Sequence, residues 1–255
     1  MLAVERRNII LQKVSDEGKV VVAELSKEFD VSEETIRRDL EKLEEDGHVT
    51  RSYGGAVVNE KNSIDLPFNV RWKANATGKQ KIGELVSSEI DDGDHIFLDA
   101  STTSVFIAKG IKQKKRLTVI TNSVENIIEL SDVQDMDIIS TGGKLKPGSM
   151  SLLGKAAFDC VNSYNADKLF MSCKGIDMEK GITDGNDDSA SIKKIMIESA
   201  EKIYLVVDST KFGRVAFSQI CEIGRVDVVV TDVKPDHEWL ALFERNGIRC
   251  LYPED

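Results

Sequence analysis

"VSEETIRRDLEKLEEDGHVTRSYGGA" runs from Val31 to Ala56 and carries a paired arginine, Arg37-Arg38, with acidic residues on both sides. Ser32 is a good helix N-cap, and Glu33 and Glu34 fall in the first turn, where the helix dipole favours anions. Ile36, Leu40 and Leu43 recur at i, i+4 and i+7, and Gly47 marks a stop. The stretch predicts a short amphipathic helix. "HVTRSYGGAVV" then predicts two short strands about Gly54-Gly55, a hairpin or wing.

Upstream, "RRNIILQKVSDEG" sets Ile10 and Val14, with Ile9 and Leu11 beside them, in a helical stripe that ends at Gly18. "VAELSKEF" places Val22 or Ala23, Leu25 and Phe29 on one face. The order is helix, helix, turn, helix, hairpin. With Ile36, Leu40 and Leu43 turned inward, helical geometry points Glu34, Arg38, Glu41 and Glu45 outward, with Arg37 on one flank and Thr35 and Lys42 on the other. In helix-turn-helix proteins the N-terminal end of the second helix meets base edges. Arginine can bond guanine through two donors, threonine can touch phosphate or a thymine methyl, and glutamate can accept from cytosine. The candidate DNA contacts are Ser32, Glu34, Thr35, Arg37, Arg38 and Lys42, with Arg51 in the wing for a phosphate. The same periodicity also describes a solvated surface helix with local ion pairs such as Glu34 with Arg38.

Bulk charge does not favour nucleic acid. The chain has a formal net charge of -10, and residues 1–55 alone hold 9 Lys/Arg against 13 Asp/Glu. Any DNA contact must come from a few placed cations, with weak non-specific affinity.

The motif resolves the ambiguity. Thr35 to Leu40, Leu43-Glu44, Gly47, and Arg51 with Gly54 to Ala56 resemble the N-terminal signature of the DeoR family of bacterial transcription regulators. Arg6, Leu25 and Phe29 fall where that family has Arg, Leu and Phe. The resemblance covers residues 1–57 without a gap and implies a winged helix-turn-helix DNA-binding domain.

Residues 58–78 are polar, contain Pro67 and read as a linker, with a short helix near Phe68, Arg71 and Trp72. From Lys79 the pattern changes. "HIFLD", "LTVIT", "MDIIS", "KLFMS", "IYLVVD", "VDVVVT" and "IRCLY" alternate with helix-like stretches. The expected fold is α/β: a small winged helix-turn-helix domain plus a larger domain, 79–255, with a mostly parallel, Rossmann-like sheet.

Ligands of open parallel sheets sit beyond the carboxyl ends of the strands. Those ends read Asp99 to Ser104, Thr121 to Ser123, Ser140 to Lys144, Ser172 to Asp177 and Asp208 to Gly213. Glycine, serine and aspartate are also ordinary turn and cap residues. Together they suggest a polar small-molecule pocket. Ser101, Thr102 and Thr103 would open a helix whose free N–H groups can cradle a phosphate. Lys174 and Lys211 could add charge, and Asp99, Asn122, Asp177 and Asp208 could bind sugar hydroxyls. No G-x-x-x-x-G-K-[ST] indicates a nucleoside triphosphate.

The resemblance continues through this half. The Asp99 loop with Thr102-Thr103, Thr121-Asn122-Ser123, Gly142-Gly143, Gly175 to Asp177 and Asp208 to Gly213 are similar to the DeoR-type sensor domain, which is related to ribose-5-phosphate isomerase. It implies a phosphorylated-sugar effector, control of a carbohydrate-catabolic operon, and no catalysis. Lys174 stands where relatives more often have a small or polar residue, and Ser189 where many have an acid. The related isomerases use a glutamate in that region as a base, so Ser189 weakens an enzymatic reading.

The leading expectation is an oligomeric repressor, dimer or tetramer, on double-stranded operator DNA. An isomerase with an appended DNA-binding module and a constitutive DNA binder are the alternatives. Apolar runs such as Tyr204 to Val207 are too short to span a bilayer, and the N-terminus lacks a signal-peptide pattern. Four dispersed cysteines and three scattered histidines suggest reduced thiols in a cytoplasm, with no transition-metal site and no cofactor.

Overall fold

Apolar spacing builds the first unit. In α1 (Ala3–Glu17), Ile10, Leu11 and Val14 turn one face inward. They meet Val22 and Leu25 of α2 (Val22–Phe29) and Ile36, Leu40 and Leu43 of α3 (Glu33–Glu45). The Ser32 hydroxyl caps α3 by accepting the Thr35 N–H at 3.2 Å, and the chain leaves α3 through Gly47 at φ 77°. Three short strands, β1 (Lys19–Val21), β2 (Val49–Ser52) and β3 (Gly55–Val58), form an antiparallel sheet in the order β1-β3-β2. The expected hairpin is β2–β3; the third strand, β1, had no sequence signal beyond two valines.

The computed structural model describes residues 1–58 and 67–254. It divides into two compact units, Met1–Ala74 and Asn75 onward. Residues 59–66 of the expected linker lie outside the described residues. Its later part is helical: α4 (Phe68–Lys73) buries Val70 in the first core, and α5 (Ala76–Ser87) begins the second unit.

The second unit is built on a seven-stranded parallel sheet in the order Arg249–Leu251, Val228–Val230, Ala200–Val206, Ala166–Met171, His95–Leu98, Leu117–Thr121, Met136–Ser140. All seven strands fall in the seven β-rich runs of the sequence. In chain order the strands and helices are β4 (His95–Leu98), α6 (Thr102–Gly110), β5 (Leu117–Thr121), α7 (Val124–Leu130), β6 (Met136–Ser140), the hairpin β7 (Lys144–Lys146) and β8 (Ser151–Leu153), α8 (Lys155–Asn162) and β9 (Ala166–Met171). Then come β10 (Gly175–Asp177), β11 (Gly181–Asp184), α9 (Asp187–Glu198), β12 (Ala200–Val206), β13 (Ser218–Cys221), β14 (Val228–Val230), α10 (His237–Arg245) and β15 (Arg249–Leu251).

Alternating strand residues feed two cores. Ile96, Leu98, Val119, Phe170 and Val206 face α5 to α7. Phe97, Ile120, Leu169, Met171 and Leu205 face α8 to α10. Burial on both faces explains the continuous apolar runs, as expected for a parallel sheet. The chain runs β4, β5, β6 toward one edge, then returns to β9 beside β4 and proceeds to the other edge. The strand order therefore reverses between β4 and β9, where ligands of such sheets bind. A small antiparallel sheet, β10-β11-β13, stands apart from the main one.

Candidate functional site

The reading helix presents its polar residues to solvent, as its periodicity predicts. Ile36, Asp39, Leu40 and Leu43 are buried, while the side chains of Arg37 and Arg38 are 54% and 76% exposed. Each expected cation holds a carboxylate: Arg37 with Glu33 at 2.6 Å, Arg38 with Glu34 at 3.3 Å, Lys42 with Glu45 and Asp46 at 3.2 Å, and Arg51 with Glu44 at 2.8 Å. Glu44 also accepts the Arg51 N–H, and that bond and the Arg51 side chain hold its carboxyl below the usual range. Such exposed pairs contribute little to stability, because solvent screens them. The surface-helix reading and the DNA-reading one thus describe the same side chains in two partnerships.

Two residues outside the expected contact set hold the helix in place. Arg6 of α1 and Asp39 of α3, both nearly buried, form an ion pair at 2.5 Å. The sequence signal was available: Asp39 falls one residue before Leu40, on the inward side, where an unpaired charge would be costly. The wing is equally fixed. The Val22 N–H donates to the Gly54 carbonyl at 2.8 Å. A Cβ on Gly55 would lie 2.0 Å from the Val20 carbonyl oxygen, so only glycine allows β3 this close to β1.

In the second unit the expected loops converge at the carboxyl ends of β4, β5, β9 and β12, and many of their polar atoms already bond one another. Asp99, fully buried, accepts the Ser101 N–H on one oxygen and the Ser172 N–H on the other, at 3.2 and 2.9 Å. Thr121 donates to the Leu98 carbonyl and accepts the Ser123 N–H. The Ser101 and Ser123 hydroxyls cap α6 and α7. Ser104 and Asn126, neither among the expected ligand contacts, join the first two loops: Ser104 donates to the Asp99 carbonyl at 2.6 Å, and Asn126 donates to it at 3.1 Å. These groups build the site's floor.

Other groups at these strand ends stand outside that network. Helix geometry leaves the Thr102 and Thr103 N–H groups without intrahelical acceptors at the start of α6. Asn122 is 2% exposed; its Nδ2 donates to the Leu152 carbonyl at 3.3 Å, and its Oδ1 has no hydrogen-bond partner among the described residues. Asp208 is buried, and Lys211 approaches it to 4.0 Å. Burial alone would raise the Asp208 carboxyl, but Lys211, Thr210 and Lys79 outweigh it and hold it below the usual range. Gly142 and Gly143 both adopt positive φ at the β6–β7 turn, and a Cβ on Gly143 would meet the Leu153 carbonyl oxygen at 2.6 Å.

Asp177 and Gly175 belong to the small sheet. Asp177 accepts the Glu179 and Lys180 N–H groups in the β10–β11 turn, and Gly175 packs against the Arg214 backbone. The Lys174 N–H donates to the Thr183 carbonyl, and Ser189 lies in the first turn of α9 below its cap, Asn186.

Lys193 is the central residue that sequence reading missed. It is 8% exposed and donates to Asp184 at 2.6 Å and to the Ser172 carbonyl at 2.7 Å, with Asp99 at 3.2 Å. Burial opposes its charge, but the carboxylates of Asp184 and Asp99 outweigh that and hold the ammonium above the usual lysine range. Burial also pushes the neighbouring Cys173 thiol up to about 12, so it stays protonated. The signal lay in α9: Lys193 shares the face of Ala190, Met196 and Ile197, and a lysine on a core face implies buried acids. Among the described residues no cluster of metal-ligating side chains is present, and no helix is long and apolar enough to cross a membrane.

These features define a winged helix-turn-helix protein joined to a doubly wound α/β unit with buried polar residues gathered at the strand ends of its switch point. The chain matches the DeoR-like helix-turn-helix domain over residues 6–62 and the DeoR C terminal sensor domain over residues 74–233. It is 41% identical over 232 residues to the uncharacterized HTH-type transcriptional regulator YulB of Bacillus subtilis, covering 91% of this chain and 90% of that one. It is 34% identical to the HTH-type transcriptional repressor GlcR of the same organism, over 98% of this chain and 96% of that one. It is 31% identical to the glycerol-3-phosphate regulon repressor of Escherichia coli, over 92% and 93%. Among solved structures, ribose 5-phosphate isomerase A from Methanocaldococcus jannaschii is similar over 54% of this chain and 55% of that one, at 15% identity and a TM-score of 0.41. The chain belongs to the DeoR family of transcriptional regulators, and its relatives are named as regulators and repressors rather than enzymes.

Proposed function

We propose that this regulator represses a carbohydrate-catabolic operon and that a phosphorylated sugar in the strand-end crevice changes its affinity for operator DNA. The observation that carries the ligand site is Asn122 Oδ1, a buried acceptor at the end of β5 without a partner among the described residues. A buried acceptor of this kind is costly unless a donor meets it. A sugar hydroxyl supplies that donor, while the Thr102 and Thr103 N–H groups and Lys211 take the phosphate. Asp99 and Lys193 organise the crevice rather than touch the sugar. The glycerol-3-phosphate regulon repressor and GlcR, both similar along nearly their full lengths, support the repressor sense, and the name of the first is in keeping with a phosphorylated ligand class.

On the DNA side, Thr35, Arg37 and Arg38 read base edges, with Glu34 and Ser32 at the helix start. Lys42 and Arg51 reach phosphates. Paired half-sites and a homo-oligomer, working in the cytoplasm, complete the proposal.

A thermal-shift screen of the purified chain against sugar phosphates tests the ligand site. One sugar phosphate should stabilise the wild type, and Asn122→Ala should lose that stabilisation while Arg38→Ala keeps it. Absence of any stabilisation across the screen would leave a constitutive DNA binder.

A further inference from the structure

The chain enters its second unit at Asn75. Asn75 is held in the left-handed region at φ 44°. Its Oδ1 caps α5 by accepting the Gly78 N–H at 3.3 Å, and its Nδ2 donates to Asp232 Oδ2 at 2.8 Å. The other Asp232 oxygen accepts the Ser209 N–H at 2.7 Å, and the Ser209 hydroxyl reaches Oδ2 at 3.4 Å. Ser209 opens the short 3-10 turn Ser209–Lys211, directly after Asp208. Asp232 is 5% exposed. There is no slack around it: a Cβ on Gly78 would lie 2.4 Å from Asp232 Oδ2 and 2.6 Å from the Asn75 amide. Lys79, one residue further along α5 and 4% exposed, adds its charge to those that hold Asp208 ionised.

We propose that Asp232 is a positioning residue, a buried strap that makes the Asp208–Lys211 loop and Asn75 move together, so that a ligand on the loop is felt where the chain leaves for the DNA-binding unit. The proposal rests on reading that loop as part of the ligand site. Its physical basis is that one nearly buried carboxylate grips donors from two elements. If either element shifts alone, a buried donor or acceptor loses its partner. The loop and the first turn of α5 therefore form one discrete element that both ligand and DNA can bias.

Amide hydrogen exchange on the full chain without ligand tests the strap. Ser209→Pro removes the N–H that Asp232 holds and keeps the turn, because Ser209 is its first residue and Asp208, at φ -75° and ψ 158°, suits the position before proline. Exchange at Gly78 and Lys79 should quicken about fivefold, the factor expected when a side-chain N-cap is lost. Asn75→Gly accepts the positive φ and should quicken exchange at Ser209 in return. The double variant should lower the thermal midpoint no more than the more damaging single change, since both break one strap. Wild-type exchange at Gly78 and Lys79 in folded Ser209→Pro, or additive midpoints, would overturn the proposal. If Ser209→Pro does not fold, Asn75→Gly decides alone: unchanged exchange at Ser209 refutes the strap. None of these arms needs a ligand, so their failure is separate from failure of the sugar-phosphate screen.

Discussion

At the scale of the residue, the two units use charge in opposite ways. Arg38 is 76% exposed and holds Glu34 only at 3.3 Å. Arg38→Ala should leave the thermal midpoint within error and weaken operator binding by about 1–3 kcal/mol, roughly 5- to 150-fold, as loss of a bidentate base contact does. Lys193 is the reverse case. Lys193→Met would leave Asp99 and Asp184 buried without their shared cation. The expected cost is about 3–5 kcal/mol of stability, measured by denaturant unfolding. The exposed arginines were legible in the sequence because amphipathic spacing and the family-like motif agreed on them. For Lys193 only its place on the core face of α9 was readable; its partners Asp99, Ser172 and Asp184 come from three strand ends, and spacing along one helix does not report contacts across the sheet. Asp99 shows the same limit: its place at a strand end was readable, but not that both of its oxygens already serve Ser101, Ser172 and Lys193.

At the scale of the element, the turn from α3 into β2 carries a pH dependence. His48 Nδ1 is buried with no hydrogen-bond partner among the described residues, and desolvation lowers its pKa although Asp46 pulls the other way. The folded state therefore prefers neutral imidazole, while the unfolded chain takes up a proton near 6.5. The stability this confers is complete above that value and is lost as the pH falls through it toward the lower folded value. Stability of the DNA-binding unit should decline as the pH falls below about 6.5, and His48→Gln should flatten that decline in thermal melts. The seven sheet strands were readable because each lies in an apolar run, which at the centre of the sheet is buried on both faces. The β7–β8 hairpin and the β10-β11-β13 sheet were not, because their three or four residues mix polar and apolar side chains without a period.

At the scale of the molecule, the proposed reading predicts that an acidic regulator whose expected DNA-contact cations are paired to carboxylates binds DNA at large weakly and gains affinity only where bases or phosphates replace those acids. Control then needs a link from the crevice between β4 and β9 to the chain segment that precedes α5, and the Asp208–Asp232–Asn75 strap is the proposed link. The central claim is that one molecule joins the two activities. Fluorescence anisotropy of the full chain on its own upstream DNA at low salt, with and without the sugar phosphate that most stabilises it, tests this most directly. Saturable binding is expected, with an affinity that changes about 5- to 150-fold on adding the sugar phosphate, the usual span of allosteric coupling. No binding to that DNA, or binding that a stabilising sugar phosphate leaves unchanged, would contradict it.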